Sequence, residues 1–302
     1  MIINTAGQIR EEFFVCGSSV YPIELLSGEV PVLFDGGVTC AGRLYRDSIR
    51  EVLRENEPEF MFITHVHWDH CGAVAYLKDL FPLMKIMMSA RAEEILKRQN
   101  ALSQIKRLNA EAVSIVSRLH CTDVSRLIRD PFQAFRADVV LKDDQTISLG
   151  RDITVRAIST PGHTRDHVSY YIPEKKILIA SEAAGCVDAT GAIIVEFLAD
   201  YDLYLSSLEK LACLPVEILC QGHRLVFVGR EEIRKFFERS IYATMTFRKH
   251  VLDLLAKPGY SLDKVVLQIK AEQYDTNTGI KQPETPYLMN LRAQVKHLAE
   301  EA

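Results

Sequence analysis

Paired cysteines are missing from this chain. Its seven cysteines (Cys16, Cys40, Cys71, Cys121, Cys186, Cys213 and Cys220) are odd in number and scattered, with no CxxC spacing among them. That reads as reduced thiols in a cytoplasmic protein, not as a disulfide framework. An excess of positive charge is also missing. Thirty-six Lys and Arg against 40 Asp and Glu leave a net charge of −4, which favours neither a nucleic-acid backbone nor an anionic membrane as partner. No uninterrupted apolar run is long enough to span a bilayer. The start, MIINTAGQIREEFF, lacks the basic, apolar and small-residue regions of a signal peptide. Internal repeats and low-complexity tracts are absent. What remains is an ordinary globular composition, 48% hydrophobic over 302 residues, enough for one large domain or two modest ones. The expectation is a soluble, cytoplasmic globular protein.

Along the chain, YPIELLSGEVPVLFDGG reads as two strands joined near Gly28, the second ending at Asp35-Gly36-Gly37. RLYRDSIREVLREN carries Leu44, Ile49, Val52 and Leu53 at helical spacing and stops before Pro58. EFMFITH is a buried strand, followed by a short helix at Ala73–Leu80 and a strand at Lys85–Ser89. From Ala90 to about Asp130 the sequence is rich in helix formers, predicting one or two helices. Strand texture returns in DQTISLG, DITVRAIST and HVSYYIPEKKILIAS, the last a hairpin around Pro173–Lys175. DLYLSSLEKLACL is a helix, VEILCQGH a strand, and the chain from Arg230 is again largely helical. These readings divide the chain into a strand-rich body, residues 1–229 with a helical insertion at about 90–130, and a helical extension, 230–302.

The densest chemistry lies in FITHVHWDHCG, Phe62–Gly72. It holds His65, His67 and His70, three of the nine histidines, with Asp69 among them. It sits just past the end of an apolar strand, where α/β sheets place their ligands. Residues two apart in an extended turn can face one ion, as His65 and His67 do, while Asp69 and His70 can face a second. Imidazoles with a carboxylate suit borderline divalent cations such as zinc. A surface histidine patch is the alternative, and a buried uncompensated cluster of this kind would be costly. Three further strand ends each deliver a possible ligand: His163 in STPGHTRDH, Glu182 in ILIASEAAG and His223 in ILCQGH.

The order THVHWDHCG, TPGH, an acidic residue after ILIAS, and GH resembles the metallo-β-lactamase fold superfamily from about Val20 to Gly229. The resemblance implies an α/β fold, an αβ/βα sandwich of two mixed sheets with helices outside and the site at one edge. It implies that His65, His67 and His163 hold one divalent cation, and Asp69, His70 and His223 a second. Zinc is expected, with iron or manganese as alternatives. Glu182 stands where the family usually has a bridging aspartate; it reaches one methylene further and either bridges or leaves a single tightly held metal. Asp35, in LFDGG, matches an acidic residue that orients ligands from behind. His167 is expected to support ligands by hydrogen bonding. Trp68, Tyr201 and Arg224 are candidates for substrate contact, with core packing or simple solvation as their alternatives.

The chemistry implied is metal-dependent hydrolysis, with a hydroxide generated between two cations and oriented by Asp69, and no serine or cysteine nucleophile. The bond would be that of a small-molecule thioester, ester, lactone or phosphoester. The TPGHT turn is similar to glyoxalase-II-type thioesterases. The helical additions look more like the thioesterase-like quinolone-signal response branch, although packing or dimer contact would serve them equally. Two other classes stay open: a metal-retaining signalling or interaction protein, and a di-iron redox protein. His67, where the flavodiiron branch typically has an acidic residue, argues against the latter.

Overall fold

The computed structural model describes residues 1–120, 124–150, 152–188, 190–277, 279 and 284–301. The chain begins with three strands, β1 (Ile2–Ile3), β2 (Gly7–Arg10) and β3 (Phe13–Gly17), continues through β4 (Pro22–Leu26) and β5 (Val32–Phe34), and enters helix α1 (Gly42–Leu53). Strand β6 (Phe60–Phe62) leads to a single turn α2 (Trp68–Cys71) and helix α3 (Val74–Leu80). Strand β7 (Lys85–Ser89) is followed by α4 (Ala90–Leu96) and α5 (Gln99–His120). Five short strands come next: β8 (Val139–Leu141), β9 (Thr146–Ser148), β10 (Thr154–Ser159), β11 (Val168–Ile172) and β12 (Ile177–Ile179). A ribbon of β13 (Cys186–Val187) and β14 (Ile193–Ile194) precedes α6 (Tyr201–Ala212), β15 (Ile218–Cys220) and β16 (Val226–Val228). Helices α7 (Arg230–Leu255), α8 (Leu262–Ile269) and α9 (Glu284–Glu300) finish the chain.

The strands form two seven-stranded sheets, β2-β3-β4-β5-β6-β7-β8 and β1-β16-β15-β12-β11-β10-β9. The first is antiparallel up to β5 and parallel from β5 to β8; the second is antiparallel except for the β12–β15 pair. Strands β5 (VLF), β12 (ILI) and β15 (ILC) are buried at every position, as runs covered on both faces must be. One apolar cluster lies between the sheets, where Phe34 stacks on Phe62 at 5.4 Å and Phe62 meets Tyr170 at 5.1 Å. A second lies between the first sheet and α1, α3, α4 and α5. A third lies between the second sheet and α6 to α9. Layers run helix, sheet, sheet, helix, so the architecture is the αβ/βα sandwich.

Helix α1 forms because Tyr45, Ile49 and Leu53 recur every four residues and face the sheet. Its Tyr45 hydroxyl donates to the Tyr21 carbonyl at 2.9 Å and accepts from the Val38 amide at 3.1 Å. A Cβ at Gly37 would lie 2.1 Å from that hydroxyl oxygen, and φ there is +51°, so this turn after β5 needs glycine twice over. The boundary near Gly229 separates strands from helices but not one core from another. Val251, Val265, Leu291 and Leu298 of the tail share one apolar cluster with Leu178 and Leu219 of the second sheet.

Candidate metal centre

The site lies where the C-terminal ends of strands from both sheets meet. From the first sheet come Asp35 after β5 and the loop Thr64–Gly72 after β6; from the second come His163 after β10, Glu182 after β12 and His223 after β15. The histidine loop is pinned across the sandwich. Val168 N–H donates to the Thr64 carbonyl at 2.8 Å, the Tyr170 hydroxyl to the Ile63 carbonyl at 2.7 Å, and Val66 N–H to Asp166 Oδ2 at 2.9 Å. The predicted insertion is stitched to the same loop. Asn109 of α5 donates to the Trp68 carbonyl at 2.9 Å, and its oxygen accepts from Thr39 N–H at 2.9 Å.

Seven predicted ligands converge. His65, His67 and His163 form one group, and Asp69, His70 and His223 another, each with donor atoms within 4.8 Å of one another. Glu182 lies between them. Its Oε1 is 3.0 Å from His70 Nε2 and 3.1 Å from His223 Nε2, whereas Oε2 faces His65 Nε2 at 3.8 Å and accepts from Ser181 Oγ at 2.6 Å. The longer side chain finds room because residue 222 is glycine: a Cβ there would sit 1.9 Å from Oε1. His67 Nδ1 and His163 Nε2 face each other at 3.2 Å, and His223 Nε2 is 3.5 Å from Asp69 Oδ2.

The far nitrogens are fixed. Asp35 takes Thr64 N–H and Oγ1–H, and its Oδ2 meets His70 Nδ1 at 2.7 Å, leaving Nε2 to face Glu182. His163 Nδ1 donates to the Glu196 carbonyl at 2.5 Å and His223 Nδ1 to the Val20 carbonyl at 2.7 Å.

Electrostatics divide these groups in two. Burial, reinforced by neighbouring imidazoles, holds His65 and His163 well below the usual histidine range and keeps them neutral. Burial also pushes His70 down, but Glu182 and Asp35 beside it more than reverse this and hold it well above. Glu182 is raised by burial and then carried well below the carboxylate range by His70 and His223. Without a cation, the Glu182 carboxylate therefore draws protons onto His70 and His223. A divalent ion would displace them.

The donor set fits a borderline divalent cation. His65 Nε2 is fully buried and has no hydrogen-bond partner among the described residues. An orphaned nitrogen costs stability unless something takes its lone pair. His167 departs from its expected supporting role in one respect. Its Nδ1 meets Thr160 Oγ1 at 2.9 Å, but its buried Nε2 is also unpartnered and groups with His65 and Glu182. Burial pushes His167 down to about 3, so it stays a neutral donor.

Trp68 and Arg224 line a cavity of about 1670 Å³ that opens from the site, together with Asp69, His163 and His223. Tyr201 does not line it. That ring is buried in the core beside Phe197 at 5.3 Å, with the Arg248 guanidinium over its face. It begins α6, and its first-turn position turns the ring inward rather than to the site. Sequence reading missed Glu196, whose largely covered carboxyl lines the cavity 4.0 Å from His163 Nδ1; burial pushes it up to about 8, Glu182 adding to the effect. The available signal was a single acid inside the apolar run AIIVEFL. His250 and His297 pair with Glu272 and with Tyr201 N–H. The His120 side chain and Cys121 lie outside the described residues.

Comparison with known proteins agrees with this geometry. Residues 14–223 match the family model described as the metallo-beta-lactamase superfamily. The chain belongs to that superfamily. Among curated superfamily relatives, it is 29% identical over 225 residues to the Beta-lactamase-like protein 2 homolog of Caenorhabditis elegans, covering 74% of this chain and 61% of that one. It is 28% identical over 167 residues to the hydroxyacylglutathione hydrolase of Bartonella tribocorum, covering 54% and 47%. The chain thus spans about half to three-fifths of the length of these relatives. A metallo-beta-lactamase family protein from Thermus thermophilus superposes with a TM-score of 0.62 at 18% identity, covering 99% of this chain and 93% of that one, which shows the shared fold. The superfamily relatives include hydrolases by name, and the clustered imidazoles and carboxylates here could hold a metal.

Proposed function

We propose that this protein is a hydrolase of a thioester or ester of a small molecule, working with two divalent cations, most simply zinc, in the cytoplasm. The observation that carries the reading is the placement of Glu182, one carboxylate oxygen toward the His70–His223 side and the other toward His65. His65, His67 and His163 would hold one ion, Asp69, His70 and His223 the other, and Glu182 both. Cations so held supply Lewis acidity for the scissile carbonyl and a water of lowered pKa. Imidazole nitrogen with carboxylate oxygen is the donor mixture zinc prefers.

The chain's own residues do the rest. Asp69, in the cavity wall beside His223, would orient the attacking water, and the proton that water loses would leave on the thiol or alcohol product. His67, His163, Trp68 and Arg224 line the same cavity, so a substrate bound there lies against all four. A thiol nucleophile is disfavoured, because burial raises Cys71 and Cys186, beside the site, well above the ordinary thiol range and keeps them protonated. Thioesters come before phosphoesters because the hydroxyacylglutathione hydrolase relative is named for a thioester and the net charge is negative.

Metal analysis by mass spectrometry on protein purified without chelators tests this, alongside Glu182→Ala and Asp69→Ala. Two equivalents in the parent, loss of at least one in Glu182→Ala, and loss of thioester turnover in Asp69→Ala with the ion of the His65, His67 and His163 group retained are expected. One equivalent or none in the parent would refute the dinuclear reading. Full biological activity in Asp69→Ala would favour a metal-retaining interaction protein instead.

A further inference from the structure

The cavity is much larger than the metal residues require. At about 1670 Å³ it exceeds the roughly 300–1,000 Å³ usual for small-molecule sites. Its walls come from outside the strand body: Ile105, Leu108 and Ile115 of α5, the β13–β14 ribbon, and residues of α7 and α9. Much of this wall is aliphatic or aromatic, and no lysine among the described residues takes part in it.

A second observation is independent of the volume. Ile194, Tyr242 and Met289 are among the few large apolar side chains left in water, at 36%, 74% and 39% exposure. They come from the ribbon, from α7 and from α9, and all three line this one cavity. Isolated exposed apolar side chains need no explanation, but three from distant segments gathered around one opening do. Methionine suits a surface that must accept a flexible apolar guest. Two hydroxyls in the wall, Thr164 Oγ1 and Tyr287 Oη, are shielded from solvent and have no hydrogen-bond partner among the described residues. They are spare polar anchors in a wall that also carries charged groups such as Arg118, Arg165 and Arg224 beside its apolar side chains.

We infer that the substrate carries an extended apolar acyl chain, which lies in this cavity with its carbonyl at the histidine cluster. The inference rests on the hydrolytic reading for the position of the carbonyl, but not for the chain. The occupant is a single amphipathic molecule, since burial of its chain removes apolar wall and apolar ligand from water together.

The experiment separates the two readings. A fluorescent polyene fatty acid is titrated into metal-free and metal-loaded protein, and acyl thioesters from two to twelve carbons are assayed on the loaded protein. Saturable probe binding in both forms is expected, with kcat/KM rising by about tenfold or more from the shortest to the longest chain. Met289→Glu and Tyr242→Glu, at exposed positions, should weaken probe binding by about tenfold each. Leu203→Glu, equally exposed on α6 but outside the cavity, should leave binding unchanged. Unchanged thermal unfolding and metal content certify folding of all three. Probe binding without hydrolysis of any ester would sink the hydrolytic reading and leave the apolar ligand standing. Hydrolysis without chain-length preference, together with no probe binding, would overturn the present inference alone.

Discussion

Replacing Gly222 with alanine is a sharp test of where Glu182 sits. The backbone at 222 is not left-handed, so the effect of the new methyl is steric. It would lie 1.9 Å from Glu182 Oε1, 2.3 Å from Cδ and 2.9 Å from Oε2. Ordinary contact begins near 3.4 Å, so the carboxylate must retreat by about 1.5 Å. That movement breaks the 3.0 Å and 3.1 Å contacts to His70 and His223. Disrupting a buried charged pair costs on the order of 3–5 kcal/mol. If the same carboxylate also holds metal, affinity falls by about two to three orders of magnitude. Competition with a graded series of chelators measures that loss directly. The double variant Gly222→Ala with Glu182→Asp supplies the control, because aspartate withdraws one methylene and vacates the space. It should recover a large part of the lost affinity, giving a strong coupling in the double-mutant cycle. A Gly222→Ala protein with the parent's metal content and chelator resistance would refute the placement of Glu182 and its role.

Three further outcomes follow from the same structure. Asp35→Asn should weaken metal binding by about 10–100-fold, the usual cost of removing the group that orients a ligating histidine; unchanged chelator competition would contradict it. In chelator-treated protein His65, His163 and His167, held low when folded, cost stability as pH falls below about 6.5, because unfolded histidines bind protons there, whereas Glu24 and Glu196, pushed up to about 8 by burial, keep their protons when folded and gain stability over the same range. Glu196→Gln removes one of the opposing gains, so its denaturant midpoint should drop more than the parent's between pH 7 and pH 5; an equal or smaller drop would refute this. Leu291→Ala should lower stability by about 2–5 kcal/mol while tail and body still unfold in one transition, since their cores are shared. Two resolved calorimetric transitions would count against it.

Much of the centre could be read from sequence because its chemistry is local and costly. Three imidazoles and a carboxylate within six residues have few other uses, and each remaining donor sits at the end of a recognisable apolar strand. The parallel strands were legible for the same reason: burial on both faces leaves uninterrupted apolar runs in β5, β12 and β15. Strands β1 and β2 were missed because they are edge strands, two and four residues long and mostly exposed, so nothing in MIINTAGQIREEFF alternates. Glu196 and the unpartnered His167 nitrogen were invisible because their significance depends on what faces them across the sandwich. Tyr201 looked like a surface residue at the start of a helix. Only the packing of α7 and α9 shows that its ring is covered.

The donors are divided between the sheets, His65, His67, Asp69 and His70 arriving from one and His163, Glu182 and His223 from the other. An ion bound by both sets would act as a non-covalent staple between the two halves of the chain, closing loops of roughly a hundred residues and more. Full coordination would then require the two sheets to have docked. In such a protein metal occupancy governs lifetime as well as turnover, and chelation should speed unfolding even in molecules that never meet a substrate.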